Sequence, residues 1–197
     1  MQVYRLCKRE YSEDLLQGEG GRLADGRWHT VGRRIVYCAS SEALAVLELR
    51  VHLGRYIPHS EYLMHTIDVP DDCVESLDPG ALARGWNAVP HTAVSQAIGD
   101  KWLRSRRGLA LRLPSVHSQS DTNVLLNPEH PDIQRVRVLA RSRYQFDRRL
   151  SDANKAGFPT IEGGQVTYLP RVEQAACVPV SGRPRTMLAT ELIEAPN

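Results

Sequence analysis

The chain has 197 residues, of which 42% are hydrophobic and 24% charged, and its formal net charge at pH 7 is +2. That length and composition fit one globular domain with room for an appendage, and so small a charge does not by itself indicate a nucleic-acid-binding protein. The sequence has no run of the about 18 apolar residues that a membrane helix needs, and the N-terminus MQVYRLCKRE lacks an apolar signal region. We therefore expect a soluble, cytoplasmic protein without a membrane partner.

The first predicted elements are a strand and a glycine-rich loop. Alternation predicts a strand over residues 3–6, whose Arg5 lies either at the rim or in a pocket, and a short helical stretch is expected around residues 12–16. The segment GEGGRLADG, residues 18–26, has GxG spacing, but Leu23 stands where the third glycine of a dinucleotide-binding fingerprint would fall. This loop is therefore neither a Rossmann nor a P-loop signature.

The stretch from residue 26 to residue 53 organises the rest of the chain. Its signals change from a glycine-flanked polar loop to a short run of β-forming residues, 35–37, and then to an apolar segment. Ser40 or Ser41 is a typical N-cap for a helix, and Gly54 fits the C′ position past its end. The helix has almost no polar stripe, which predicts that the rest of the fold covers it on most sides.

Glu48 is the acidic exception in the middle of this helix. Its neighbours three and four residues away are Leu44, Ala45, Val51 and His52, so we expect its carboxylate to point into a largely apolar wall. A carboxylate in such a wall is costly unless it is paired, hydrogen-bonded or used in chemistry. From the helix alone, a structural ion pair and a functional carboxylate are equally good interpretations.

Downstream, the pattern predicts a strand over residues 62–69, an irregular segment over residues 73–90 and a second helix from Thr92. This helix ends at Gly108, and its Trp102 is a core anchor. We expect no metal ion anywhere in the chain, because the cysteines and histidines show neither a CxxC pair nor an HExxH motif.

Two short predicted strands, residues 109–113 and 124–126, flank a polar loop. Polar loops that follow strands often contact ligands, so Ser115 and Asn123 are candidates, although a turn or capping role explains each of them alone. Residues 135–147 then alternate between an apolar face and a face of four arginines. The arginine face is either a solvated outer face, which is the commoner case, or a surface for an acidic partner or polyphosphate.

The character of the chain changes beyond residue 150, where prolines and glycines are frequent and periodicity is weak. We therefore predict one catalytic domain over residues 1–150 and a C-terminal extension of unknown role over residues 151–197, draped on the domain or partly disordered. The elements of the first part indicate a mixed α+β fold in which short strands dominate.

Arg27, Tyr37 and Glu48 come from the loop, the strand end and the helix of one compact unit, so they can converge on a single cleft. A guanidinium can hold a pyrophosphate through charge-assisted hydrogen bonds, and a phenol ring can stack on a nicotinamide or its ribose. A carboxylate can stabilise the oxocarbenium-like charge that develops as a glycosidic bond breaks. Together these groups suit cleavage of the N-glycosidic bond of a dinucleotide.

Six motifs occur in a fixed order over roughly residues 1–150, and together they resemble the RES domain family, the toxin half of RES–Xre toxin–antitoxin operons. The motifs are VYRL, GRW followed by Gly32 and Tyr37, ALAVLE ending at Glu48, GDKWL, LPS ending at Ser115, and NVLLNPEHPD. The resemblance implies a fold similar to ADP-ribosyltransferase toxins, with a split mixed and antiparallel β core and flanking helices.

The resemblance also implies an activity on NAD as substrate. Members destroy NAD by hydrolysis or phosphorolysis, or transfer its ADP-ribose to a protein, which is phosphoribosyl pyrophosphate synthetase in one branch. Carried over by motif, Arg27, Tyr37 and Glu48 match the active-site arginine, tyrosine and glutamate, and Ser115 matches the family serine beside the NAD. An Xre-type antitoxin is the implied partner, in a dimer or hetero-oligomer, and nucleic acid is reached only through that antitoxin.

Two positions depart from the family pattern, and two other functions stay open. Many relatives read GGRWN where this chain reads DGRWH, so Asp25 adds an acid beside Arg27 that can alter phosphate affinity or the choice of acceptor, and His29 takes the other outer position.

The alternative functions are an RNA-directed toxin or RNA-binding module that uses the arginine face of residues 135–143, and a non-catalytic interaction domain in which Glu48 is merely ion-paired.

Overall fold

The computed structural model describes residues 1–53, 60–147, 150, 159–162 and 165–168. The chain divides into two compact units, Met1–Asn154 and Lys155–Asn197. The strands of the first unit are Gln2–Lys8 (β1), Val36–Ala39 (β2), Tyr62–Asp68 (β3), Val74–Ser76 (β4), Ala110–Pro114 (β5), Thr122–Leu126 (β6) and Arg137–Tyr144 (β7). Its α-helices are Glu19–Leu23 (α1), Glu42–Leu53 (α2) and Ala93–Ser105 (α3).

The seven strands form one sheet in the order β4-β5-β6-β2-β1-β3-β7. Only β4 and β5 pair in parallel, and the other neighbouring strands are antiparallel. The sheet is nearly divided at its centre, because β1 and β2 share the single register pair Tyr4↔Ala39. At this point Arg5 Nη1 donates a hydrogen bond to the carbonyl oxygen of Tyr37 at 2.7 Å, so Arg5 links the two halves. The predicted α+β fold with a split mixed sheet is confirmed.

Helix α2 is capped by Ser41, whose Oγ accepts a hydrogen bond from the backbone N–H of Leu44 at 3.1 Å. The buried Leu44 packs in a cluster with Tyr62 and Met64 of β3, and burial of one such side chain contributes about 1.5–3 kcal/mol. The predicted cover on most sides is wrong, since Leu47 is 40% exposed. Because the helix sequence has no polar stripe, it does not show which face of the helix is buried against the sheet. The predicted C′ residue, Gly54, lies outside the described residues.

Several local predictions differ from the structure. Residues 12–16 form turns, whereas the glycine-rich segment contains the short helix α1, which begins after Gly18 in a left-handed conformation with φ of +67°. The segment 73–90 contributes β4, whose three residues are set by long-range pairing with β5 and carry no local pattern of their own. Helix α3 ends at Ser105, before the predicted Gly108, and the next residue, Arg106, caps it in a left-handed conformation.

Strand β7 lies at one edge of the sheet and carries most of the arginine face. Each arginine of that face forms an ion pair with a carboxylate of the same unit. The pairs are Arg135–Asp72 at 2.8 Å, Arg137–Asp68 at 3.3 Å, Arg141–Glu13 at 2.8 Å and Arg143–Glu61 at 3.0 Å. These contacts favour the interpretation of a solvated outer face, in which charge also protects an exposed strand edge.

The second unit is described only where Pro159–Glu162 (β8) and Gln165–Tyr168 (β9) form an antiparallel hairpin. The division at residue 150 and the role of the extension stay predictions. Across the described ranges, no helix is both long and apolar enough to span a bilayer.

Candidate active site

Helix α2 brings the carboxylate of Glu48 to the ends of β5 and β6. One carboxylate oxygen, Oε1, accepts hydrogen bonds from Ser115 Oγ at 3.1 Å and from Asn123 Nδ2 at 2.8 Å. The expected apolar wall is therefore wrong: most neighbours along the helix are apolar, but β6 and the loop after β5 supply polar donors. The Glu48 side chain is 26% exposed, so it is both anchored and open to a ligand.

The loop between β5 and β6 is held in shape by its own polar side chains. Ser115 Oγ accepts the backbone N–H of His117 at 3.0 Å, which leaves its hydroxyl hydrogen for Glu48. Ser118 Oγ donates to Asp121 Oδ2 at 3.0 Å and accepts the backbone N–H of Asp121 at 3.1 Å. These local bonds fix the donors before any ligand arrives, so the carboxylate needs little reorganisation.

The second oxygen of Glu48, Oε2, faces a histidine. His117 Nε2 lies 3.7 Å from Oε2, which is longer than a hydrogen bond, and the His117 side chain is 24% exposed. Sequence reasoning did not predict His117 as a site residue. The one signal was its position two residues after Ser115 in the polar loop. Asn123 had been a candidate, and its bond to Oε1 gives it a role beyond a turn.

Arg27 is partly buried and is held by the backbone of the segment before α3. Its Nη1 donates to the carbonyl oxygens of Trp86 at 3.0 Å and Ala88 at 2.8 Å. Burial lowers the pKa of Arg27, and the negative charge of Glu48 and the neighbouring Tyr37 act in the opposite direction. Nε and Nη2 form no hydrogen bond with any residue that the structure describes, so they remain available to an anion.

The loop that carries Arg27 is tied to α3 by one side chain with several bonds. Gln96 Nε2 donates to Asp25 Oδ2 at 3.0 Å and to the carbonyl oxygens of Gly26 at 3.2 Å and His29 at 3.3 Å. His91 Nε2 also lies 3.1 Å from Asp25 Oδ2. The acid that departs from the family pattern is thus engaged by His91 and Gln96.

The GDKWL motif explains how closely α3 approaches this loop. A Cβ built on Gly99 would lie 1.8 Å from the carbonyl oxygen of Trp28, so only glycine permits the contact. Asp100 accepts the backbone N–H of Thr30 at 3.1 Å and its hydroxyl at 2.8 Å. Trp28 is buried and stacks on Trp86 with ring centroids 5.8 Å apart. The loop therefore rests on a close-packed base.

Tyr37 is fixed by a chain of hydrogen bonds at its hydroxyl. The Tyr37 oxygen accepts the backbone N–H of Trp28 at 3.2 Å and lies 2.8 Å from His29 Nδ1. Because His29 Nε2 lies 3.0 Å from the carbonyl oxygen of Ala24, Nε2 carries the proton and Nδ1 accepts from the Tyr37 hydroxyl. Burial raises the pKa of Tyr37, which keeps this hydroxyl protonated at neutral pH.

The structure brings Glu48 and Ser115 into direct contact and places Arg27 and Tyr37 within electrostatic reach of the Glu48 charge. Burial lowers the pKa of Arg27, and the negative charge of Glu48 acts in the opposite direction. Burial raises the pKa of Tyr37, and the same charge raises it further. Sequence reasoning noted His29 only as a departure and did not predict its bond to Tyr37. In the part of the chain that the structure describes, no three metal-ligating side chains are grouped.

Comparisons with known proteins identify relatives of this chain. The profile of the RES domain family matches residues 2–147. A Prs ADP-ribosylating toxin of Sphingobium sp. (strain YBL2) is 41% identical over 146 residues, covering 72% of this chain and 90% of that protein. A Toxin Res of Photorhabdus laumondii subsp. laumondii is 35% identical over 156 residues, covering 79% of this chain and 100% of that protein.

One solved structure has a similar fold. A chain of the MbcT–MbcA toxin–antitoxin complex of M. tuberculosis matches with a TM-score of 0.62 and 19% identity, covering 73% of this chain and 83% of that chain. At that identity the likeness shows the fold alone. The family profile and the two relatives confirm the resemblance found in the motifs, and the chain belongs to the RES domain family.

Proposed function

We propose that this chain is the toxin of a toxin–antitoxin system and that it cleaves the nicotinamide–ribose bond of NAD. The observation that carries the proposal is the Glu48 carboxylate, which is anchored through one oxygen by Ser115 and Asn123 while its charge acts on Arg27 and Tyr37. The names of the relatives, a Prs ADP-ribosylating toxin and a Toxin Res, support the same reaction class.

Arg27 would bind the pyrophosphate of NAD. Two backbone carbonyls orient its guanidinium through Nη1, and Nε and Nη2 then present a fork of donors that matches phosphate oxygens. The carbonyls are neutral partners, so they leave the positive charge of Arg27 for the ligand. Desolvation of the group strengthens its attraction to a phosphate, because charges interact more strongly away from water.

Tyr37 would support the nicotinamide end of the substrate. Its hydroxyl is fixed by Trp28 and His29, so the ring keeps one orientation and can offer its face to the nicotinamide or its ribose. Ser115 would act beside it by keeping Glu48 in position. In these roles Tyr37 and Ser115 hold the substrate and the carboxylate, and neither gains or loses a proton.

Glu48 would stabilise the breaking bond. As nicotinamide leaves with the electron pair of the glycosidic bond, positive charge develops on the ribose, and the carboxylate also accepts a hydrogen bond from a ribose hydroxyl. The free oxygen Oε2 is suited to this contact, since Oε1 already has two donors. Loss of one such electrostatic contact typically costs about 3 kcal/mol, or a factor of about a hundred in rate.

The ADP-ribose would pass to water, to phosphate or to a protein such as phosphoribosyl pyrophosphate synthetase. The Sphingobium relative, named as a Prs ADP-ribosylating toxin, supports the protein acceptor. The toxin–antitoxin complex with a similar fold supports an antitoxin as partner, and we propose one of the Xre type. We place the reaction in the cytoplasm, where NAD and such a partner are present.

The test is nicotinamide release from NAD by the purified chain. The assay follows nicotinamide by chromatography, first in buffer, then with phosphate, and then with purified phosphoribosyl pyrophosphate synthetase. We expect release in at least one of these conditions and a transferred ADP-ribose mass on the protein if it is the acceptor. No release in any condition would overturn the proposal. Release that does not change when Glu48 is replaced would remove Glu48 from the mechanism.

A further inference from the structure

His117 is an ionisable side chain beside Glu48 that the proposed mechanism does not use. Its imidazole comes from the β5–β6 loop and reaches the oxygen of Glu48 that Ser115 and Asn123 leave open. The backbone N–H of His117 bonds to Ser115 Oγ at 3.0 Å, so the same serine positions both the carboxylate and the imidazole. This arrangement links two groups with different chemistry to one anchor.

The distance between the two groups is informative. His117 Nε2 and Glu48 Oε2 are 3.7 Å apart, too far for a direct hydrogen bond. An acceptor hydroxyl could approach both atoms from the solvent side at about 2.8 Å from each, in a position beside the line that joins them. With 24% of His117 and 26% of Glu48 exposed, the position can be reached from solvent.

We propose that His117 is the general base that activates the acceptor of ADP-ribose, whether water or a protein hydroxyl. The inference rests on the proposed function. The neutral imidazole carries its hydrogen on Nδ1, and Nε2 accepts the hydrogen of the acceptor hydroxyl. As the acceptor oxygen bonds to the anomeric carbon, the glycosidic C–N bond breaks, nicotinamide leaves with the electron pair, and the acceptor proton moves to Nε2. Glu48 meanwhile stabilises the positive charge on the ribose.

This division of labour predicts a dependence on pH. Protonation of His117 removes the base and also sets a cation beside Glu48, so turnover should fall as the pH is lowered. Among the residues that the structure describes, other charged or titratable groups in this region include Asp121 in the same loop, His52 on α2, and Arg27 and Tyr37, on which the Glu48 charge also acts. Tyr37 stays protonated at neutral and acid pH because burial raises its pKa, and the guanidinium of Arg27 stays charged.

The experiment compares three variants with the wild type in the acceptor condition that supports wild-type turnover. His117→Gln keeps a polar side chain of similar reach but cannot act as a base, and His117→Ala leaves space for added imidazole. His52→Gln is the matched control, because His52 is an exposed histidine on the same helix as Glu48. NAD turnover is measured from pH 5 to pH 9 for each, and thermal unfolding checks that each is folded.

We expect His117→Gln to lower kcat by about a hundredfold with little change in KM for NAD, and to lose the acid limb of the profile. Imidazole should restore activity to His117→Ala in proportion to its concentration, which a merely structural role would not allow. His52→Gln should retain the wild-type profile. An active wild type with an unchanged His117→Gln profile, or a folded His117→Ala that imidazole does not rescue, would overturn this inference alone. A wild type that releases no nicotinamide overturns the proposed function with it.

Discussion

Arg27 and the arginines of β7 differ in what compensates their charge. Arg27 is partly buried and is held by two backbone carbonyls, whereas Arg137 and Arg143 are exposed and each contacts a carboxylate. The side chains of Arg137 and Arg143 are 74% and 65% exposed. A guanidinium held by neutral oxygens keeps its charge for a ligand, and one that is already paired does not. The comparison favours the NAD interpretation over the RNA interpretation, although β7 carries more arginines.

The energetics of the two groups point the same way. An exposed ion pair contributes about 0–1 kcal/mol and weakens as salt is added, so the pairs of β7 mainly keep the strand edge solvated. A desolvated guanidinium beside a carboxylate that it does not touch is more costly, because its charge lacks a close counter-ion. Burial indeed lowers the pKa of Arg27. A phosphate at Nε and Nη2 would supply that counter-ion, which is how an unliganded site can be built for an anion.

The largest expected effect is on catalysis through Glu48. Glu48→Gln keeps a side-chain oxygen that can accept from Ser115 and Asn123, so the fold should be retained, while the negative charge needed at the ribose is lost. We expect NAD turnover to fall by about a hundredfold to a thousandfold with little change in NAD affinity. Nicotinamide release measures turnover, calorimetry measures NAD affinity, and circular dichroism checks that the fold is retained.

Glu42→Gln provides the matched control for that substitution. Glu42 is an exposed acid in the first turn of the same helix, away from the polar anchors. Its replacement should leave turnover unchanged and lower stability by about 0.3–1 kcal/mol, because the acid interacts favourably with the helix N-terminus. Similar activity losses in Glu42→Gln and Glu48→Gln would show that α2 as a whole is sensitive and that no special role belongs to Glu48.

The comparison of arginines is tested directly by binding. Arg27→Ala should weaken NAD binding by about tenfold to a hundredfold, which is the effect of losing a charge-assisted hydrogen bond of about 1.5–3 kcal/mol. Arg143→Ala, which removes an exposed pair with Glu61, should leave NAD affinity unchanged. Isothermal calorimetry on the Glu48→Gln background measures binding without turnover. Equal losses of NAD affinity in both variants would show that Arg27 and the β7 arginines do not differ in their contribution to NAD binding.

RNA binding tests the alternative interpretation, in which the β7 arginines bind RNA. If β7 served RNA, the chain would bind RNA oligonucleotides with an affinity that falls steeply as salt rises, and Arg143→Ala would reduce that slope. We expect no such binding, because the β7 arginines are neutralised by Asp68, Glu13 and Glu61. Tight, salt-dependent RNA binding that Glu48→Gln leaves intact would favour the RNA-directed alternative.

The close contact between α3 and the Arg27 loop predicts a smaller effect, on stability. Gly99→Ala would put a Cβ 1.8 Å from the carbonyl oxygen of Trp28, so the helix and the loop must separate. Overpacking of this kind costs about 1–3 kcal/mol, and displacement of the loop should also weaken NAD binding. Gly20→Ala is the control, since nothing lies within 4 Å of a Cβ at Gly20. Equal melting temperatures of Gly99→Ala and Gly20→Ala would contradict the proposal that close packing of α3 against the Arg27 loop stabilises the fold.

Much of this site was predictable from the sequence because its parts are local. The loop, strand and helix that carry Arg27, Tyr37 and Glu48 follow one another directly, and their local signals predict the order of elements. The split sheet and the donors to Glu48 depend on strand pairing between distant segments, such as Leu113↔Asn123. Local periodicity carries no information on that pairing, so the apolar wall expected around Glu48 proved polar.

The buried network of the Arg27 loop shows the same limit. The motif GDKWL was recognisable, but its purpose depends on the approach of Gly99 to Trp28 and on the bonds from Asp100 to Thr30, both across about 70 residues of sequence. His29 was visible only as a departure from the family pattern. Its bond to Tyr37 became apparent once the strand and the loop were placed together.

The smallest expected effect tests whether His29 supports Tyr37 as a neutral group. Burial lowers the pKa of folded His29 below its ordinary value of 6.5, so the unfolded chain takes up a proton first as the pH falls. The stability contribution of neutral His29 is therefore complete above about pH 6.5 and is lost as the pH falls through the folded pKa. His29→Asn, which restores the residue of the GGRWN pattern, should reduce this loss of stability at acid pH.

The measurement is the melting temperature of wild type, His29→Asn and the exposed control His52→Gln at pH 8 and pH 5. Some acid sensitivity should persist in every variant, because burial also lowers the pKa of His65, whose Nε2 lies 2.8 Å from Ser12 Oγ. The difference between the two pH values should be smaller for His29→Asn than for the other two proteins. An unchanged difference would mean that His29 is already charged in the folded chain, and the Nδ1 acceptor role that orients the Tyr37 hydroxyl would then be wrong.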